Sequence, residues 1–274
     1  MNEDRREAPI GVFDSGVGGL TVAREIMRNL PAERIVYFGD TARVHYGNKS
    51  KASIIRFSRQ IIRFLQTEKV KAIVIACNTA SAHALDQVQK EFDIPIIGVV
   101  KPGAQVAAMT TRNKKVGVIG TLGTIGSNIY TEYIRQIDPE ITVYGKACPL
   151  LVPLVEEGWL KDPITRDVLV RYLDELLAED IDTLVMGCTH YPLLRSAIRD
   201  VVGEGVNLVN PAYETAQALK KLLARDGLDS QGVEEEEFPY RYYVSDLAEK
   251  FTEFANSILP YDVSVTQKID IERY

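Results

Sequence analysis

Short apolar runs recur along this chain at residues 10–13, 34–38, 72–76, 94–99, 116–119, 141–144, 183–186 and 206–209. Most are continuous rather than alternating, which predicts strands buried on both faces, as in parallel sheets covered by helices. Between the runs, apolar residues return at helical spacing. Ile54, Ile55, Ile61, Ile62 and Leu65 follow Ser50, and Val168, Leu169, Tyr172, Leu173, Leu176 and Leu177 follow Asp162-Pro163. Polar residues before such patterns mark helix starts. The class read from this alternation is α/β. A further strand is expected at 240–244 and a final helix at 247–258, after an acidic run at 234–237 that reads as a solvated loop.

The chain also resembles itself. Ile10-Gly11-Val12-Phe13-Asp14-Ser15 matches Val116-Gly117-Val118-Ile119-Gly120-Thr121, which pairs Ser15 with Thr121, and a similar offset carries Cys77 near Cys188. A duplicated unit gives two pseudo-symmetric parallel-sheet α/β domains facing across a central cleft. The expected division is residues 1–98 with 210–274 for the first domain and 99–209 for the second.

Composition narrows the function. The 274 residues carry 46% hydrophobic and 26% charged side chains with a net charge of -6. That balance fits an ordinary globular protein and disfavours a nucleic-acid surface, so a small molecule or another protein is the expected partner. The charged opening, residues 1–7, shows no apolar leader, and no apolar stretch approaches the ~20 residues of a membrane span, so a cytoplasmic protein is expected. Three widely spaced cysteines, Cys77, Cys148 and Cys188, suit reduced thiols.

Two of these thiols end apolar runs and are followed by small polar residues, Asn78-Thr79 and Thr189-His190. Strand ends are where α/β proteins place chemistry, and a helix start behind a thiol lowers its pKa and makes it usable as a base. Two thiols in matching settings suggest a paired role, although a buried unpaired cysteine is often inert packing, the role expected of Cys148. Asn78, Thr79 and Thr189 offer hydrogen bonds to an anion and equally suit helix capping.

Asp14-Ser15-Gly16-Val17-Gly18-Gly19 lacks the final glycine of a dinucleotide loop and the lysine of a nucleotide P-loop, leaving a small-anion loop or a structural turn. His190 is close enough to tune Cys188 or act as an acid. A metal site there would need distant ligands, no CxxC or HExxH pattern occurs, and none is expected.

Six segments together carry a family resemblance over nearly the whole chain: GVFDSGVGGLTV from Gly11, YFGDTARVHYG from Tyr37, IACNTASA from Ile75, GVIGT from Gly117, ACPLLVPLVEEG from Ala147 and GCTHYPLL from Gly187. The chain resembles the cofactor-independent aspartate/glutamate racemase family, in particular the glutamate racemases of bacterial cell-wall synthesis. The resemblance implies interconversion of L- and D-glutamate without a cofactor, with Cys77 and Cys188 as acid and base on opposite faces of the α-carbon. It places Asp14, Ser15, Tyr46, Gly47, Asn78, Thr79, Thr121, Thr189 and His190 around the substrate. Asp14 and His190 would assist the two thiols, and Glu156 matches a further acidic auxiliary. It also implies a cytoplasmic homodimer that supplies D-glutamate for peptidoglycan. His45 departs from the family, which typically has proline before Tyr46-Gly47, and a solvated side chain is expected there. A related amino-acid or hydantoin racemase, or a binding module without turnover, are the competing readings.

Overall fold

Each of the eight apolar runs carries a strand: β1 (Ile10–Asp14), β2 (Ile35–Gly39), β3 (Ala72–Ile75), β4 (Ile96–Gly98), β5 (Lys115–Gly120), β6 (Thr142–Ala147), β7 (Thr183–Gly187) and β8 (Asn207–Val209). The structure, a computed structural model, describes residues 3–230, 232, 240–261, 263 and 265–274. The acidic run at 234–237 lies outside the described residues. The expected late strand forms as β9 (Tyr240–Val244), and the final helix spans Ala248–Ile258. A short strand, β10 (Thr266–Lys268), was not expected, because Thr266-Gln267-Lys268 has no apolar pattern to announce it.

The strands form two sheets, in the orders β10-β9-β2-β1-β3-β4 and β6-β5-β7-β8, and every pairing is parallel. The second sheet repeats the heart of the first: β5 stands where β1 stands, with β6, β7 and β8 in the places of β2, β3 and β4. This is the pseudo-symmetry that the matching segments of sequence predict, and β9 and β10 extend the first sheet alone. Cys77 and Cys188 therefore come within two residues of the ends of equivalent strands, β3 and β7.

Both faces of the first sheet are covered, which explains its unbroken apolar runs. Val12, Tyr37 and Val74 pack toward Leu20, Ile26, Leu219 and Phe251, while Phe13, Phe38 and Ile75 pack toward Ile54, Ile61, Leu65 and Ala84 on the other side. The helices start where polar caps stand. Ser50 Oγ accepts from Ser53 N at 3.3 Å ahead of helix Lys51–Thr67, and Asp162 Oδ1 accepts from Ile164 N at 2.8 Å ahead of helix Pro163–Ala178.

The two halves are joined by more than the crossing chain. Helix Pro211–Asp226, capped by Asn210, packs against helix Leu20–Asn29 of the first unit and helix Val100–Thr110 of the second. Among the described residues no helix is long and apolar enough to cross a membrane.

Candidate active site

Parallel strands send all their C-terminal ends one way, so the segments after β1, β3, β5 and β7 collect where the two sheets face each other. Cys77 and Cys188 line the same small cavity there. Ser15, Tyr46, Gly47, Asn78 and Thr79 line it from the first unit; Thr121, Thr189 and His190 line it from the second. Eight of the nine residues expected around a substrate are thus brought together with both thiols. Asp14 is the exception, fully buried behind the loop and absent from the cavity wall.

The loop after β1 is tightly shaped by its glycines. A Cβ on Gly18 would lie 2.4 Å from Thr189 Oγ1 and 2.5 Å from the His190 ring, so only glycine lets this loop reach the opposite wall. Thr21 Oγ1 then donates to Thr189 O at 2.8 Å, tying the two halves beside Cys188. The expected small-anion loop is corrected in one respect: its anion is internal. Gly16 N donates to Asp14 Oδ2 at 3.0 Å, and the amides of Ser15 and Gly19 also favour that carboxylate.

Cys77 caps helix Asn78–Glu91, and its sulfur accepts from Ala80 N at 3.4 Å, while the thiol points at Ser15 Oγ 3.6 Å away. A helix start alone would lower its pKa. Burial, reinforced by the charge of Asp14, wins instead and pushes the thiol up to about 12. Burial likewise raises Asp14, against the charge of His190 and the loop amides.

The second thiol sits differently from the sequence expectation. Beyond Cys188 the chain enters the 3-10 turn Tyr191–Leu194, and an α-helix begins only at Arg195. The partner of Cys188 is therefore a side chain: His190 Nδ1 lies 3.8 Å from the sulfur, and His190 Nε2 lies 3.0 Å from Glu156 Oε1. Burial opposes charge on this ring, but the hydrogen bonds and charges of Cys188 and Glu156 outweigh it and raise His190 to about 10. Glu156 is held below the usual carboxylate range, its own partial burial outweighed by the hydrogen bond and charge of His190 and the charge of His45.

Around the thiols, polar side chains reach across between the halves. Thr79 Oγ1 meets Thr121 Oγ1 at 2.8 Å and Thr124 Oγ1 at 3.1 Å, while Thr121 also caps its own helix by accepting from Thr124 N at 3.1 Å. Thr121 therefore fills both the capping and the site-lining role. A Cβ on Gly47 would lie 2.8 Å from Thr121 Cβ, which fixes how near the Tyr46 loop stands to the second unit. Among the described residues, no group of three or more His, Cys, Asp and Glu side chains is arranged to hold a metal ion.

The profile of the Asp/Glu/hydantoin racemase family matches residues 10–219. The chain belongs to that family. A glutamate racemase of Geobacter metallireducens is 46% identical over 96% of this chain and 97% of its own length. A glutamate racemase isoform of Bacillus anthracis shares the fold at a TM-score of 0.92 and 40% identity, over 97% of this chain and 98% of the other. The Francisella tularensis glutamate racemase, solved in complex with D-glutamate, gives 0.90 and 38%, over 98% of this chain and 100% of the other.

Two residues of this racemase matter to the site yet stand outside the sequence-derived set. Asp40 is fully buried and accepts from Tyr46 Oη, from Ser245 Oγ at 2.9 Å and from Arg43 Nε at 2.8 Å, so it fixes the Tyr46 side chain. Tyr130 donates to Asn78 Oδ1 at 2.7 Å. Asp40 carried a signal, a carboxylate directly after β2; Tyr130 carried none, since it lies 52 positions from its partner. Cys148 packs in the second core, as expected.

Proposed function

We propose that this chain is a glutamate racemase that moves the α-proton with two thiols and no cofactor. The observation that carries the reading is the placement of Cys77 and Cys188 after equivalent strands of two like sheets, on one cavity. Inverting a carbon requires removing a proton from one face and delivering one to the other, and two acid/base groups across a cleft are the smallest apparatus for it. One thiolate takes the Cα proton and becomes a thiol; the opposite thiol gives its proton to the carbanion and becomes a thiolate.

The asymmetry of the two sides suits this exchange. Burial and Asp14 keep Cys77 protonated, the state of a donor, while Cys188 has a titratable partner in His190 to manage its proton. Hydrogen-bond donors on Ser15, Asn78, Thr79, Thr121 and Thr189 would hold the substrate carboxylates and stabilise the charge that develops on them in the transition state. Within the proposal, residues 1–98 with 210–274 carry Cys77 and residues 99–209 carry Cys188. The proposal also includes a cytoplasmic homodimer supplying D-glutamate for peptidoglycan, the role implied by the resemblance.

Incubation with L-glutamate beside a panel of L-aspartate, hydantoins and allantoin tests the substrate. D-glutamate is the expected product; turnover of another compound with glutamate left untouched would refute the assignment.

A further inference from the structure

Resting on that two-thiol reading, a cluster at the cavity mouth remains unexplained by it. His45 stands on the first unit between two 3-10 turns, Thr41–Arg43 and Tyr46–Asn48. Both flanks are anchored: Arg43 Nη1 donates to Gln60 Oε1 at 2.6 Å and to Glu272 Oε1 at 3.0 Å, and Tyr46 Oη donates to Asp40. The turn that carries His45 is therefore fixed on both sides, while 45% of the His45 side chain is exposed. Its Nε2 lies 4.0 Å from Glu156 Oε2, while the other carboxylate oxygen meets His190 Nε2 at 3.0 Å. Glu156 thus joins two imidazoles, one buried against Cys188 and one facing solvent.

Two-thiol racemisation leaves the enzyme in the wrong state for a second turnover in the same direction. If Cys188 has taken the Cα proton, it is a thiol and Cys77 a thiolate; one proton must leave and one must enter before the cycle repeats. We propose that His45 is the solvent-side end of a proton path, Cys188–His190–Glu156–His45, that carries out the Cys188 half of this reset.

The steps balance. With Cys188 a thiol, the negative charge that helps hold a second proton on His190 is gone. The neutral ring, protonated at Nε2, accepts the Cys188 proton at Nδ1 as it passes its Nε2 proton to Glu156 Oε1, stays neutral, and a turn of the ring restores its first tautomer. Glu156 gives a proton from Oε2 to His45 Nε2, across a gap that one water or a small ring rotation closes. His45 releases its Nδ1 proton to solvent, and the reverse sequence serves the reverse reaction. On the Cys77 side the sulfur meets Ser15 Oγ and the Ala80 amide, which do not titrate, and the carboxylate of Asp14 acts on it only through its charge from a fully buried position with no contact to solvent. The path exists on one side only, so its loss affects one half of the reset. His45 acts through Glu156 and is a positioning and relay residue, not a catalytic one.

A step that occurs in the free enzyme between turnovers limits kcat without entering kcat/KM. His45→Gln should therefore lower kcat roughly tenfold in both directions, with kcat/KM within roughly twofold of the unchanged protein. Added imidazole should restore kcat in the variant and leave the unchanged protein unaffected, which a merely structural role would not produce. His45→Asn, assayed in parallel, keeps the readout available should the glutamine variant fold poorly.

Unaltered kcat in both variants would overturn the relay. So would a fall in kcat/KM that imidazole does not recover, which would make His45 a substrate or loop contact instead. Absence of racemisation in the unchanged protein would refute the two-thiol reading itself, and that outcome is distinct from both.

Discussion

Tyr130 Oη donates to Asn78 Oδ1 at 2.7 Å, and this bond joins the two halves of the molecule directly behind Cys77. Asn78 opens the helix that Cys77 caps, and Tyr130 belongs to helix Ile129–Ile137 of the second unit. Both side chains are buried, and burial pushes the phenol far above its ordinary value, so it remains a donor at any working pH. Tyr130→Phe leaves a buried carbonyl without a partner. Stability in urea should fall by about 1–3 kcal/mol, and kcat should fall with it, because Asn78 is then free to turn away from the cavity.

Gly18 is a contact position between the halves. Gly18→Ala puts a methyl 2.4 Å from Thr189 Oγ1 and 2.5 Å from the His190 ring, so the loop or the ring must move. Overpacking of this kind costs about 1–3 kcal/mol. A thermal melt should show the loss, and racemisation should fall by more than the stability change explains, since His190 is displaced from Cys188.

The raised His190 pKa makes stability depend on pH. A group that holds its proton more tightly when folded stabilises the fold fully below its unfolded pKa of 6.5, and that contribution fades as pH rises toward about 10. Glu156 is lowered, so its side of the same interaction is constant over this range, whereas Cys77 and Cys148, both raised from 9.0 to about 12, add their own decline from pH 9 upward. Chemical denaturation between pH 7 and 9 should therefore show stability declining with pH. His190→Gln should be less stable at pH 7 and should lose the His190 decline, leaving only the fall that Cys77 and Cys148 begin near pH 9.

Cys77 should behave as a masked thiol. With its pKa pushed up to about 12, its thiolate is scarce at pH 8. Alkylation by iodoacetamide, with peptide mass spectrometry as the readout, should proceed at least roughly a hundredfold more slowly at Cys77 than at a free cysteine. Removing the negative charge with Asp14→Asn should speed it, because Asp14 is the second cause of the shift.

The sequence carried much of this arrangement where the signal was local. The apolar runs reveal β1, β2, β3, β5 and β7 because strands buried on both faces leave few polar positions to break the pattern, while β4, β6, β8 and β9 are less buried and show only through their share of apolar residues. The match of Ile10–Ser15 to Val116–Thr121 anticipated the repeated strand order, since both copies end on a small hydroxyl residue at the same strand end. Signals failed where tertiary context decided. A helix start was expected behind both thiols, but at Cys77 its effect is overruled by burial, and beyond Cys188 the chain enters a 3-10 turn instead. The β1 loop looked built for an external anion because its glycines free the amides; those amides face Asp14 of the same loop. Tyr130 and Asp40 act on Asn78 and Tyr46 through folded contacts that no spacing rule encodes.

The central claim is that the proton leaves one face to one thiol and arrives on the other from a second thiol. The direct test is racemisation of L-glutamate in deuterated water, with label measured separately in both enantiomers during the first few per cent of conversion. Two thiols predict deuterium at Cα of nearly every D-glutamate formed, unlabelled L-glutamate remaining, and no racemisation in Cys77→Ala or in Cys188→Ala. Deuterium entering recovered L-glutamate as fast as D-glutamate appears, or full racemisation by either single-thiol variant, would contradict it.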